Sequence, residues 1–207
     1  MALNILHLDS SPRGAASHSR QMTAELVESL TQANPGASVT YRDLGRNPPP
    51  FLDEKWTESA FMTPAARTPE QAEALRVSDV LVDEMQHADI IVAGVPMYNY
   101  NVPAAFKAWI DQIVRFDVTF TADATNYQGL LQGKKVFVVT ARGGSGYGAG
   151  EAREKDNLQD PFLIKVFSFI GITDINFIHI NNTVRGEEAV RESIGGARQA
   201  ILAAIAA

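Results

Sequence analysis

Three short segments of this chain have side chains and backbone suited to holding a ligand. The first is Asp9-Ser10-Ser11-Pro12-Arg13-Gly14-Ala15-Ala16-Ser17-His18-Ser19, where four serines precede an amphipathic stretch. Free N–H groups and the dipole at the start of a helix attract anions. Hydroxyls of Ser11, Ser17 and Ser19 would add donors without charge, and His18 lies among them. The same serines would serve equally as caps of the helix. No Gly-Lys-Ser/Thr follows, so this is not a Walker loop. The second segment, Pro96-Met97-Tyr98-Asn99-Tyr100-Asn101, sets a thioether and two phenol rings around an amide. That suits a flat aromatic ligand, whereas a tight turn packed on its neighbour would use only one tyrosine. The third is Ala141-Arg142-Gly143-Gly144-Ser145-Gly146-Tyr147-Gly148. Paired glycines let the backbone approach a ligand, and their N–H groups can face a carbonyl or developing negative charge. A Gly-rich connector with no ligand has the same composition. Neither G-x-G-x-x-G nor the G-x-S-x-G nucleophile elbow fits the spacing.

These loops need elements to position them. Asn4–Asp9, Ser38–Asp43, 90–95, Lys134–Ala141 and Thr173–Ile180 read as strands, and the run at 90–95 is apolar throughout, as in a buried parallel strand. Between them lie helical patterns at Ser19–Asn34, from Pro69 onward, Val102–Phe116, Leu158–Ile170 and Gly186–Ala206. Thr68-Pro69-Glu70-Gln71 predicts a capped start with proline in the first turn. That helix's expected stripe is Leu75, Val77, Val80, Leu81 and Met85. Gly171 is expected to stop the fourth helix. The segment from Pro50 to Pro69 reads as irregular, with Phe51, Leu52, Trp56, Phe61 and Met62 scattered along it and exposed. Strands alternating with helices demand a parallel sheet with right-handed crossovers. The expectation is one domain over 1–207, an α/β doubly wound five-stranded sheet of order 2-1-3-4-5. Its switch point would lie between strands 1 and 3.

Composition narrows the function. With a formal net charge of −6 the chain lacks the cationic surface that nucleic acid requires. It has no cysteine, which excludes disulfides, thiolate nucleophiles and Cys-type metal sites. The histidines His7, His18, His87 and His179 show no metal-ligand spacing, so no metal is expected. His7 and His179 read as satisfied strand residues. No apolar run reaches the roughly 20 residues of a membrane helix. MALNILHLD has no basic leader region, so a soluble cytoplasmic protein is expected.

At the switch point of such a sheet, an anion site, a ring site and a glycine-lined polar edge converge. Flavin mononucleotide (FMN) matches all three: a phosphate, a planar tricycle and a pyrimidine edge with carbonyls. The motifs LDSSPRGAASHS (8–19), TPEQAEALRVSD (68–79), PMYNYNVPAAFKAWID (96–111), GLLQGKKVFVVTARGG (129–144) and FIGITD (169–174) go further. In this order, over nearly the whole chain, they resemble the FMN-dependent NADH-azoreductase family of flavodoxin-like quinone reductases.

The resemblance implies a homodimer with the active site at the subunit interface and one FMN per subunit. NADH would be the electron donor, and quinones or aromatic azo compounds the acceptors, in a two-step hydride transfer. Ser11, Ser17, His18 and Ser19 then match the phosphate loop. Pro96, Met97, Tyr98, Asn99 and Tyr100 match the ring loop. Ala141, Arg142, Gly143 and Gly144 match the pyrimidine-side loop. No side chain acts as catalyst; backbone N–H groups of Asn99, Gly143 and Gly144 assist. Phe120, Tyr127 and Phe162 are candidate pocket walls. Three positions depart from the family: Ala141 where serine is common, His18 for glutamine, Tyr100 for phenylalanine. The alternatives are a flavodoxin-type electron carrier and a hydrolase on the same fold.

Overall fold

The computed structural model of the chain describes residues 2–206. Seven strands and six α-helices follow one another: β1 (Asn4–Asp9), α1 (His18–Ala33), β2 (Ser38–Asp43), α2 (Glu54–Ala60), α3 (Pro69–His87), β3 (Ile90–Gly94), α4 (Ala104–Ile113), β4 (Phe120–Ala122), β5 (Tyr127–Gly129), β6 (Lys135–Ala141), α5 (Gln159–Phe169), β7 (Asp174–Ile180) and α6 (Glu187–Ala206). Five of the strands form a sheet of order β2-β1-β3-β6-β7, with every neighbouring pair parallel. β4 and β5 form a separate antiparallel hairpin between α4 and β6. It was not anticipated, and it makes the last two members of the sheet the sixth and seventh strands of the chain.

The two faces of the sheet are filled by alternate residues of the same strands, as the period of two requires. Leu6, Leu8, Ile91, Ala93, Val136 and Val138 meet Leu81 and Met85 of α3, Phe106 and Trp109 of α4, and Leu163 and Phe167 of α5. On the other face Ile5, Val92, Phe137, Val139, Ile178 and Ile180 meet Met22, Leu26 and Leu30 of α1 and Ala197 and Ile201 of α6. A sheet covered on both sides explains the continuous apolar run of β3.

Local signals at the helix ends are realised. Thr68 and Gln71 exchange side-chain to backbone bonds of 3.3 and 3.0 Å, a complete capping box at the start of α3. Gly171 takes φ +103° after α5, a conformation open to glycine. Three expectations are corrected. The 50–69 segment contains α2, and its Trp56 is 8% exposed, with Nε1 donating to Gln112 Oε1 at 2.9 Å. Val80 does not belong to the buried stripe of α3; it is 47% exposed, and Ser78 is buried instead. His7 is buried but not satisfied, because among the described residues its Nε2 has no hydrogen-bond partner and sits 3.5 Å from Asp9 Oδ2.

Two of the motifs meet in space. A β-carbon on Gly129, at the end of β5, would overlap the backbone of Ile170 and Gly171. The hairpin therefore lies backbone to backbone on the end of α5, a closeness only glycine permits. This contact sets Phe120 and Tyr127 against Phe169, with ring centroids 4.6 and 5.4 Å from it. Gly129→Ala is expected to destabilise the protein by about 2 kcal/mol through overpacking, read as a lower urea midpoint at unchanged slope.

Candidate functional site

The carboxyl ends of β1, β3 and β6 open onto one cleft of about 230 Å³. Its walls are Ser11, Arg13, Ser17, His18, Pro96, Met97, Tyr98, Ala141, Gly143, Thr183 and Val184. The three loops singled out by composition thus converge.

At the first loop, α1 begins one residue before the predicted start. Ser17 is its N-cap, with Oγ accepting from Arg20 N–H at 3.4 Å and standing 3.1 Å from the buried Ser19 Oγ. The N–H groups of His18 and Ser19 donate to nothing among the described residues. Arg20 holds the loop in place: Nε and Nη2 donate to the Ser11 carbonyl at 2.9 and 2.6 Å, and the guanidinium is bound to Asp43. That hydrogen bond raises the pKa of Arg20 and lowers that of Asp43. Burial and the nearby carboxylates of Asp9 and Asp43 raise the Tyr41 phenol, which is bonded to Arg20 and Asp9. His18 Nδ1 is buried and has no hydrogen-bond partner among the described residues.

The second loop turns sharply. Tyr98 and Asn101 exchange backbone bonds of 2.9 and 3.1 Å across Asn99 (φ +49°) and Tyr100 (φ +71°). Two left-handed residues in sequence make a turn of the I′ kind, a strained choice for tyrosine. The turn leaves the Asn99 N–H without an acceptor among the described residues, whereas Met97 N–H is bonded to Ala141 O at 3.0 Å. Asn99 and Tyr100 stand at the tip, beyond the walls of the cleft.

The third loop has free N–H groups at Gly143 and Gly144 among the described residues. Arg142 does not face the cleft. Its side chain is buried, ion-paired with Asp160, and within 3.3 Å of Gln159 Oε1. Its own N–H goes to Ile180 O, so neither backbone donor nor guanidinium is open to a ligand. Burial would raise the Asp160 carboxyl, but hydrogen bonds from His179, Arg142 and Asn157 hold it down to about 2. Gln159 completes the brace by donating to Val95 O at 3.0 Å.

Sequence reasoning missed this brace, in which Asn157 just ahead of α5 also takes part: its Oδ1 accepts from Asp160 N–H at 3.1 Å. It also missed the loop after β7. Thr183 donates twice to Arg142 O and Asn182 N–H reaches Gly144 O, so Val184 comes within 3.5 Å of a β-carbon built on Gly143. Nothing in its composition marks that loop. Phe120 and Tyr127 line a separate aromatic groove with Trp56, Phe61, Phe116 and Phe169, about 910 Å³ in volume. Phe162 is not in it; it packs half-buried on the core from the first turn of α5.

The family model described as a flavodoxin-like fold matches residues 3–205. A relative from Nostoc sp. is 49% identical over 98% of both chains and bears the name FMN-dependent NADH:quinone oxidoreductase. The chain belongs to this flavodoxin-like family. Among solved structures, an azoreductase from Bacillus anthracis superposes with a TM-score of 0.88 at 23% identity, covering 99% of this chain and 100% of its own. An FMN-dependent NADH-azoreductase of the same organism, solved in complex with FMN, gives 0.84 at 20%, over 98% and 99%. At those identities the structures speak for the fold shared by the members.

Removing the Asp160 charge strands a buried guanidinium, so Asp160→Asn is expected to lose about 3 kcal/mol of stability at pH 7. A lowered folded-state pKa stabilises above the unfolded carboxylate's value and ceases to as pH falls through its own. The gap between wild type and Asp160→Asn in urea unfolding should therefore be full above about pH 4 and close toward about pH 2.

Proposed function

We propose that this chain is an FMN-dependent NADH:quinone oxidoreductase that also cleaves aromatic azo compounds to amines, with FMN lying along the cleft at the ends of β1, β3 and β6. The reading is carried by the distribution of free donors in the cleft. The serine turn brings free helix N–H groups and the Ser11 and Ser17 hydroxyls, and the glycine turn brings the free N–H of Gly143, with Gly144 next to it outside the walls, while Pro96, Met97 and Tyr98 form a largely apolar wall. Those residues fit the group: neutral donors for a phosphate, a flat wall for a ring, unpaired amides for carbonyls.

When bound, FMN supplies two-electron transfer from NADH to the acceptor. The chain's contribution is orientation. Ser11, Ser17, Ser19 and the His18 and Ser19 N–H groups hold the phosphate. Asn99 N–H addresses the reactive side of the ring, and Gly143 and Gly144 N–H the pyrimidine edge. Donors fixed before the reaction need no reorganisation during it. The Arg142–Asp160 pair and the Arg20 clamp keep the loops in that geometry. Ala141 offers no hydroxyl, so the pyrimidine edge depends on backbone alone.

The reading extends to a cytoplasmic homodimer with its active site at the subunit interface. Phe51 and Phe61 are 77% and 70% exposed, and the aromatic groove of Phe120 and Tyr127 lies open, which is the apolar surface a second copy would cover. No helix among the described residues is long and apolar enough to cross a membrane.

Purified protein is expected to be yellow, to take up FMN, and to oxidise NADH when menadione or methyl red is added. Colourless protein that cannot be reconstituted overturns the proposal. A flavin-loaded protein that NADH fails to reduce would be an electron carrier instead. Ser17→Ala, losing one bond to a charged group, is expected to weaken FMN binding by roughly tenfold or more, measured by quenching of FMN fluorescence.

A further inference from the structure

We propose that Arg153, in the loop between β6 and α5, tunes the proposed flavin electrostatically: its guanidinium favours the reduced ring by standing beside the pyrimidine edge. The inference rests on the reading of Gly143 and Gly144 as that edge. A β-carbon built on Gly144 would lie 2.7 Å from Arg153 Nη1, so the guanidinium packs directly on the glycine whose N–H is free.

The loop is built to hold it there. Arg153 N–H donates to Gly146 O at 2.8 Å, and Nη1 donates to the Tyr147 hydroxyl at 3.4 Å. The Tyr147 ring is 8% exposed and has two guanidinium neighbours, Arg142 at 5.6 Å and Arg153 at 5.8 Å from its centroid. Asn157 Nδ2 ties the Tyr147 carbonyl from α5's side at 3.1 Å.

The two cations differ in what they have left to offer. The charge of Arg142 is matched by Asp160. No carboxylate pairs with Arg153 among the described residues. Its sequence neighbours Glu151 and Glu154 turn instead to the N–H groups of Gly148 and Gly150, at 2.7 and 2.8 Å. An uncompensated cation therefore rests against the glycine edge.

Taking two electrons from NADH and one proton in all leaves the flavin ring with one negative charge, delocalised toward the pyrimidine carbonyls. A positive charge at that edge lowers the energy of that state and not of the neutral oxidised ring. Arg153 is exposed to solvent, so the effect is screened and moderate.

The test is the two-electron potential of bound FMN, measured by equilibration with a reference dye under slow enzymatic reduction. Arg153→Gln is expected to weaken binding of reduced relative to oxidised FMN by roughly tenfold, a fall of about 30 mV. Arg153→Lys, which keeps the charge, should stay near wild type. The difference between wild type and Arg153→Gln should shrink in about 1 M salt, where the screening length is about 3 Å. An unchanged potential in Arg153→Gln, or an equal fall in Arg153→Lys, overturns the inference. Failure of the wild-type protein to bind FMN at all would overturn the reading of the cleft instead.

Discussion

The cleft exists because the chain leaves the sheet in opposite directions from two neighbouring strands. β1 and β3 pair side by side. Yet the connection from β1 leads to α1 on one face, and that from β3 leads to α4 on the other. No connection can then cross the carboxyl ends of that pair, and a crevice is left. Backbone donors that end up there have no strand or helix to bond. The serine turn and Gly143 of the glycine turn leave free N–H groups at this space, and the tyrosine turn holds that of Asn99 at its tip, beyond the walls.

Around that crevice the interior is polar, with Asp9, Ser10, Ser11, Ser17, Ser19 and Arg142 all buried. Arg142, Gln159, Asp160 and His179 link the ends of β6 and β7 to the first turn of α5, and Arg20, Asp43, Tyr41 and Asp9 link the serine turn to β2. Burying such groups is costly unless each is matched. The matching is incomplete, since Nε of Arg142 and Nε2 of His7 have no partner among the described residues. Apolar residues would fill the same space at less cost. What the networks supply is rigidity of the loops that carry the free backbone donors.

Much of this arrangement is legible residue by residue. The Thr68 capping box and the Gly171 stop are local events settled within one turn of helix, so their signals survive unchanged in the fold. The three loops at the cleft stand out because serine, paired tyrosine and paired glycine have no better reason to cluster at strand ends. Failures have equally local causes. Trp56 looked like a stray exposed aromatic, but α2 turns it inward onto Gln112. The 120–129 hairpin has strands only three residues long, too short for an alternation to register. Arg142 sits inside a glycine motif, and its neighbours in sequence do not reveal that it points toward α5.

What the amino-acid order determined alone was the succession of buried strands and amphipathic helices, the helix ends, and the three loop compositions. These depend on periodicity, capping and backbone freedom, which act over a few residues. Tertiary structure decided which partners each polar group would find. Asp160 acquires its low pKa from His179 and Arg142, Gly129 its need for a bare α-carbon from Gly171, and Arg153 its place on Gly144 from the fold of a loop around Tyr147. Electrostatics and steric exclusion operate through space, and only the folded chain sets those distances.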